Sequence, residues 1–307
     1  VNVILYRISG LATAGLPGWS GWSCLLFVIF LVQTADLHGT FAQPPLTNPI
    51  KVFVSILPQV YFVERIGGPQ VSVEVLVGPG KSHHTYEPTP HQLALLAKAD
   101  VYFKIGVPFE QSLTTKIAFT MNQIKMVDTQ KDVPLRHLPE SGGKGMPDPH
   151  IWMDPKLVKI QASIIAETLS QLDPLHKAEY ESRLKSFHAN LDQIDREISE
   201  ILAPLHGKEV YVFHPAYGYF LETYGLKQVA IEVEGKEPGP RHLAELVERM
   251  KQNRVKVLFV QPQFSSKTAK AIASEVGASI VVLDPLSSDY LENLKQTAIK
   301  IRDAFEK

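Results

Sequence analysis

The feature that most constrains this chain is a repeated alternation of short β-branched runs with helix-length segments. KVFVSIL (51–57) and VSVEVLV (71–77) read as strands separated by a helix through about Gly67. HQLALLAKA (91–99) is helical, and VYFKIG (101–106) and QIKMVD (123–128) add two more strands. A second set follows in EVYVF (209–213), QVAIEV (228–233), VKVLFV (255–260) and ASIVVLD (278–284). GPRHLAELVERMKQ and SSKTAKAIASEVG lie between these strands as helices. Strands of this kind alternating with helices form mostly parallel sheets covered on both faces.

The two sets are separated by residues 155–205, which carry almost no strand signal. Leu184, Phe187, Leu191, Ile194, Ile198 and Leu202 fall on one face of a long helix. Asp173-Pro174 starts this helix of roughly thirty residues afresh after a shorter one ending near Leu172, because proline suits a first helical turn. The expected fold class is therefore α/β, with two α/β lobes of parallel sheet joined by one long rigid helix. The expected boundaries are 43–172 for the N-terminal lobe, 173–205 for the helix and 206–307 for the C-terminal lobe. A dimerising helix is the alternative use of that segment; a monomer is expected.

Residues 1–42 are set apart by composition. Arg7 and Asp36 are their only formal charges, CLLFVIFLV (24–32) is an apolar core, and Thr40 and Ala42 are small residues beyond it. This reads as a signal peptide or a retained N-terminal anchor, placing the mature protein in a periplasm or at the extracytoplasmic face of a membrane. Cys24 is the single cysteine, so an intrachain disulfide and a multi-cysteine metal site are excluded. It precedes the apolar run and is poorly placed for lipidation. A net charge of -1 with dispersed basic residues argues against nucleic acid as a partner. The chain has neither a G-x-G-x-x-G fingerprint nor a Walker sequence.

Histidine and carboxylate are then the available metal ligands, and four positions share a local logic. His84 follows the strand VSVEVLV and its turn, His214 follows EVYVF directly, and Asp284 follows SIVVL directly. His150 lies in DPHIWMDP just before a helix. In open α/β sheets ligands bind beyond the carboxyl ends of strands. Two such residues from each lobe would meet in the interlobe cleft. Three nitrogens and one oxygen suit a tetrahedral zinc shell, and four protein ligands leave no obligatory open position for catalytic water. Tyr86, Tyr217, Asp148 and Asp154 are near enough in sequence to orient these ligands. Spacing alone leaves scattered structural histidines as the alternative, the reading expected for His91, His137, His176, His188, His206 and His242.

The motifs are more specific in combination. H-x-Y-x-P at His84 to Pro88, DPHIWMDP around His150, FHPAYGYF around His214 and the final LDPL resemble the zinc- and manganese-binding proteins of bacterial ABC importers. The resemblance covers essentially residues 50–307. It implies an extracytoplasmic solute-binding protein, not an enzyme, whose metal ligands are His84, His150, His214 and Asp284. It implies no cofactor: Zn2+ is the bound cargo, with Mn2+ as the alternative, and the partners are a membrane permease and its separate ATPase. Histidine at position 214 favours zinc, since many manganese-type members carry glutamate there. His83 occupies the place where the family usually has proline, leaving it an unexplained neighbour of His84. PESGGKGMPDPH lacks the histidine- and acid-rich loop of many zinc importers. A metal-dependent hydrolase with Glu87 or Glu222 as base, and a surface adhesin on the same scaffold, are the competing classes; H-E-x-x-H is missing for the former.

Overall fold

Each lobe grows from a strand–helix–strand unit. A computed structural model describes residues 48–306 except 122, 139–144, 233–238 and 265. The expected export segment, 1–42, lies outside the described residues. β1 (Ile50–Ile56) is buried from Val52 onward, as a central parallel strand must be. α1 (Leu57–Gly67) begins at its end with Pro58 in the first turn, and β2 (Val71–Val77) returns beside β1. After α2 (Pro90–Leu96), β3 (Val101–Lys104) adds to the opposite side of β1. α3 (Glu110–Thr120) and β4 (Lys125–Asp128) complete a parallel sheet of order β2-β1-β3-β4.

The C-terminal lobe repeats that order. β5 (Glu209–Val212), β6 (Lys227–Ala230), β7 (Val257–Val260) and β8 (Ser279–Val282) form a parallel sheet of order β6-β5-β7-β8. α6 (Gly218–Thr223), α7 (Pro240–Gln252), α8 (Ser266–Val276) and α9 (Tyr290–Phe305) belong to this half. In both sheets the chain leaves the first strand to one side and then returns to the other. The carboxyl ends of β1 and β3, and of β5 and β7, are therefore the topological switch points where crevices open.

α4 (Pro155–Leu172) and α5 (Lys177–Leu202) lie between the sheets in sequence. The long helix starts later than its sequence suggests, because Pro174–His176 forms a separate 3₁₀ turn. Asp173 holds that turn by accepting from His176 Nδ1 at 2.6 Å and from Tyr180 Oη at 2.8 Å. Phe187, Leu191, Ile194, Ile198 and Leu202 are buried on one face of α5, and Leu184 packs partly buried beside them.

One apolar core runs through both halves. It includes Val54 and Phe103 of the first sheet, Phe62 of α1, Phe187 of α5, Val212 of β5 and Tyr290 of α9. Phe62 and Tyr290 meet edge to face with ring centroids 4.7 Å apart. A smaller core, with Tyr211, Leu246, Met250, Leu258 and Ile272, covers the other face of the C-terminal sheet. Among the described residues no helix is long and apolar enough to cross a membrane.

Candidate metal centre

The loops that follow the strands bring four imidazoles together. β2 ends at Val77, and Gly80 turns the chain with a φ of 71°, conformational space that glycine enters without penalty. The loop then presents His83 and His84, and the backbone N–H of His84 donates to Ser82 Oγ at 3.2 Å. His214 stands two residues beyond β5, at the C-terminal lobe's switch point. Gln261, the residue after β7, accepts from the His214 N–H at 3.0 Å and donates to its carbonyl at 3.1 Å. The ring of His214 stacks on Phe264 at 4.5 Å.

His83 Nε2 lies 3.3 Å from His150 Nε2, His150 Nε2 lies 3.3 Å from His214 Nε2, and His214 Nε2 lies 2.9 Å from His84 Nε2. The donor atoms of all four fall within 4.8 Å of one another. Tetrahedral ligation at usual zinc–imidazole bond lengths separates ligand nitrogens by about 3.3–3.4 Å. The His83–His150 and His150–His214 separations match that spacing, and the His84–His214 separation is shorter than it. His83, His150 and His214 are fully buried and His84 is half-buried.

Two of the rings have their tautomers fixed by carboxyl groups. His150 Nδ1 donates to Asp148 Oδ1 at 2.7 Å, and His214 Nδ1 donates to Glu232 Oε2. Each Nε2 is consequently left with a lone pair facing the cluster. Burial works against ionisation of Asp148, yet His150 and Arg136 hold its carboxyl below the usual carboxylate range. Burial, reinforced by His214 and His150, drives the His84 imidazole down to about 2. Burial likewise pushes His83 and His214 well below the usual histidine range. Neutral imidazoles are the form a metal requires.

The sequence-based candidates are distributed unevenly around this cluster. His84, His150 and His214 are brought together, and His83 joins them. Asp284 lies outside the group: its Oδ1 accepts from Gln263 Nε2 at 2.6 Å and from the Leu286 N–H at 2.9 Å. Of the four expected orienting residues, Asp148 touches a cluster imidazole. Tyr86 donates to Gln92, and Asp154 accepts from Thr223 and caps α4. Buried Tyr217 feels the charge of Asp284, and its hydroxyl has no hydrogen-bond partner among the described residues. Glu222 pairs with Arg136 at 2.6 Å. Glu232 was not among the candidates: the sequence reading placed it inside the strand QVAIEV, whereas β6 ends at Ala230 and leaves it two residues beyond.

The His150 segment precedes α4 but is tied chiefly to the C-terminal half. Tyr219 Oη donates to the Asp148 carbonyl at 3.1 Å, and Trp152 Nε1 donates to the Pro285 carbonyl at 2.7 Å. Tyr290 Oη donates to the Trp152 carbonyl at 2.7 Å, and Thr223 Oγ1 donates to Asp154 at 2.6 Å. His150 and His214 thus share one anchored framework, while His83 and His84 arrive on the loop after β2.

Comparison with known proteins agrees with this geometry. The family described as "Zinc-uptake complex component A periplasmic" matches residues 52–304. The high-affinity zinc uptake system protein ZnuA of Bacillus subtilis is 27% identical over 93% of this chain and 97% of its own length. A crystal structure of a ZnuA deletion mutant with zinc bound superposes with a TM-score of 0.80 at 42% identity, covering 84% of this chain and 98% of that one. The laminin-binding protein Lmb of Streptococcus agalactiae, described as a bifunctional adhesin and metal transporter, gives a TM-score of 0.74 at 26% identity over 84% of this chain and 99% of its own. With two parallel α/β lobes, imidazoles gathered at their strand ends and a family match over most of its length, this chain belongs to the family of periplasmic component A proteins of zinc-uptake complexes.

Proposed function

We propose that this protein captures one zinc ion outside the cytoplasm at the histidine cluster and hands it to the permease of an ABC importer. The observation that carries the reading is the pair His150 and His214. Their carboxyl partners fix both Nε2 lone pairs toward each other at 3.3 Å within a buried site. Neither of these two nitrogens can donate to the other, and a cation placed between them is bound by both lone pairs at once. Four imidazoles bring no charge of their own. Asp148, whose carboxyl is held below the usual carboxylate range, and Glu232, both buried behind the rings, place carboxyl groups where they can balance a dication. A closed set of protein ligands suits carriage rather than hydrolysis.

Capture begins with the ion meeting half-buried His84 and then the anchored pair. Release needs only the loop carrying His83 and His84 to withdraw. The hydrogen bonds of residues 78–92 outside the cluster run to near neighbours: Lys81 to Gly78, His84 to Ser82, Tyr86 to Gln92, and Gln92 to Leu76. His150 and His214 remain held by their own frameworks. A permease that displaces this loop would strip ligands from the ion without separating the lobes.

Native mass spectrometry of residues 43–307, purified without tags, tests the reading in zinc–manganese competition. One tightly held zinc per chain, lost in His84→Ala and His214→Ala, is expected. A chain that retains no divalent ion overturns it.

A further inference from the structure

Every donor in the cluster is an imidazole nitrogen, and His83 is the member that makes it so. Its side chain is 1% exposed and its ring stands edge-on to Trp152 at 5.5 Å, with Nε2 3.3 Å from His150 Nε2. Its other nitrogen, Nδ1, is buried with no hydrogen-bond partner among the described residues. A histidine kept solely for packing would normally have that atom engaged, since a buried unpaired polar group costs about 1–3 kcal/mol. Asp284, the oxygen donor that the resemblance implies, lies outside the four-imidazole group, and its Oδ1 accepts from the Gln263 amide and the Leu286 N–H.

We infer that His83 is the fourth ligand, and that the resulting all-imidazole shell selects zinc and other late first-row divalent ions against manganese. The inference rests on the metal-capture reading above and specifies its cargo class. Imidazole suits zinc, copper and nickel, whereas manganese favours carboxylate, carbonyl and water oxygen. An aspartate in the fourth position would supply that oxygen; a fourth imidazole withholds it. His83 is also a costlier ligand to recruit than His84. Ligation through Nε2 places its ring hydrogen on Nδ1, where no acceptor waits among the described residues. His84 is half-buried and leaves no such stranded nitrogen.

Zinc and manganese affinities of residues 43–307, measured by competition with a chromophoric chelator, test this, with the visible spectrum of bound cobalt(II) reporting the ligand set. His83→Asn is expected to weaken zinc about tenfold or more and to change the cobalt spectrum, with a smaller loss than His84→Asn. Asp284→Asn is expected to leave both within about twofold of the unaltered protein. His83→Asp is expected to bind manganese more tightly than the unaltered protein, a gain that a misfolded variant could not produce. Retained zinc affinity in His83→Asn together with its loss in Asp284→Asn overturns the ligand assignment. No manganese gain in His83→Asp overturns the selectivity. An unaltered protein that binds no zinc instead sinks the capture reading itself.

Discussion

His214 is held from three directions: Gln261 grips its backbone, Phe264 covers its ring and Glu232 takes its Nδ1–H. Removing the carboxylate should leave the fold standing while loosening the ring and weakening its donor lone pair. Glu232→Gln and Asp148→Asn should each lower zinc affinity about 10–100-fold. Chelator competition measures that loss, and an unchanged metal-free thermal midpoint separates it from unfolding. Unaltered affinity in both variants would show that these carboxyl groups do not tune the site. The same residues show how far the sequence could be read. His84, His150 and His214 were recognisable because each stands in a local motif near a strand end or helix start. Glu232 was harder, because its contact depends on β6 lying beside β5, an adjacency absent from linear spacing. His83 was harder still: two neighbouring histidines in a loop do not reveal which ring faces inward, and here both do.

The central strands β1, β3, β5 and β7 were legible because buried parallel strands are short and apolar on both faces. The edge strands β2, β4, β6 and β8 are only partly buried and were read from short β-branched runs between helices. α3 was not, because EQSLTTKIAFT buries only Glu110, Leu113 and Ile117 and has weak helical patterning. Its first residue explains how it is placed. Glu110 accepts from the Ile105 N–H at 2.9 Å and the Gly106 N–H at 2.6 Å, and also meets Ser55 Oγ. It thereby fastens the turn between β3 and α3 to β1. Burial raises its carboxyl from 4.5 to about 7, even though Ser55 and the two N–H groups favour its charge. The unfolded chain releases this proton near pH 4.5, whereas the folded chain keeps it to about pH 7. The associated stability is therefore complete below pH 4.5 and is lost as pH rises through 7, amounting to about 3 kcal/mol at most. Glu110→Gln should flatten the decline between pH 5 and pH 7.5. Urea midpoints of the two proteins at both pH values measure this, and parallel curves would contradict it. The difference between the proteins isolates Glu110 from the buried histidines, whose depressed values cost metal-free stability below about pH 6.5.

At the scale of the whole molecule, the single strut expected between lobes is only part of the connection. α9, the last helix of the C-terminal half, crosses back so that Tyr290 meets Phe62 and Tyr61 of α1, and Phe62 also meets Phe187 of α5. Tyr290 Oη and Trp152 Nε1 then tie the His150 segment to that half. A wide hinge would expose this continuous apolar core at roughly 25 cal/mol for each Å² uncovered. Withdrawal of the loop after β2 gives up the ring contacts of His83 with Trp152 and of Tyr86 with Phe109, while its hydrogen bonds outside the cluster run to near neighbours. Zinc binding should therefore slow amide exchange across residues 78–89 while leaving α5 and α9 unchanged. Spin labels on α2 and α7 should report nearly the same separation with and without zinc. A large shift between the labels, with exchange altered along α9, would mean that the lobes swing apart to release the ion. Tyr290→Phe provides the internal control. It keeps the ring packing but removes the bond to the Trp152 carbonyl, so His150 should gain freedom, zinc affinity should fall, and the label separation should stay where it was.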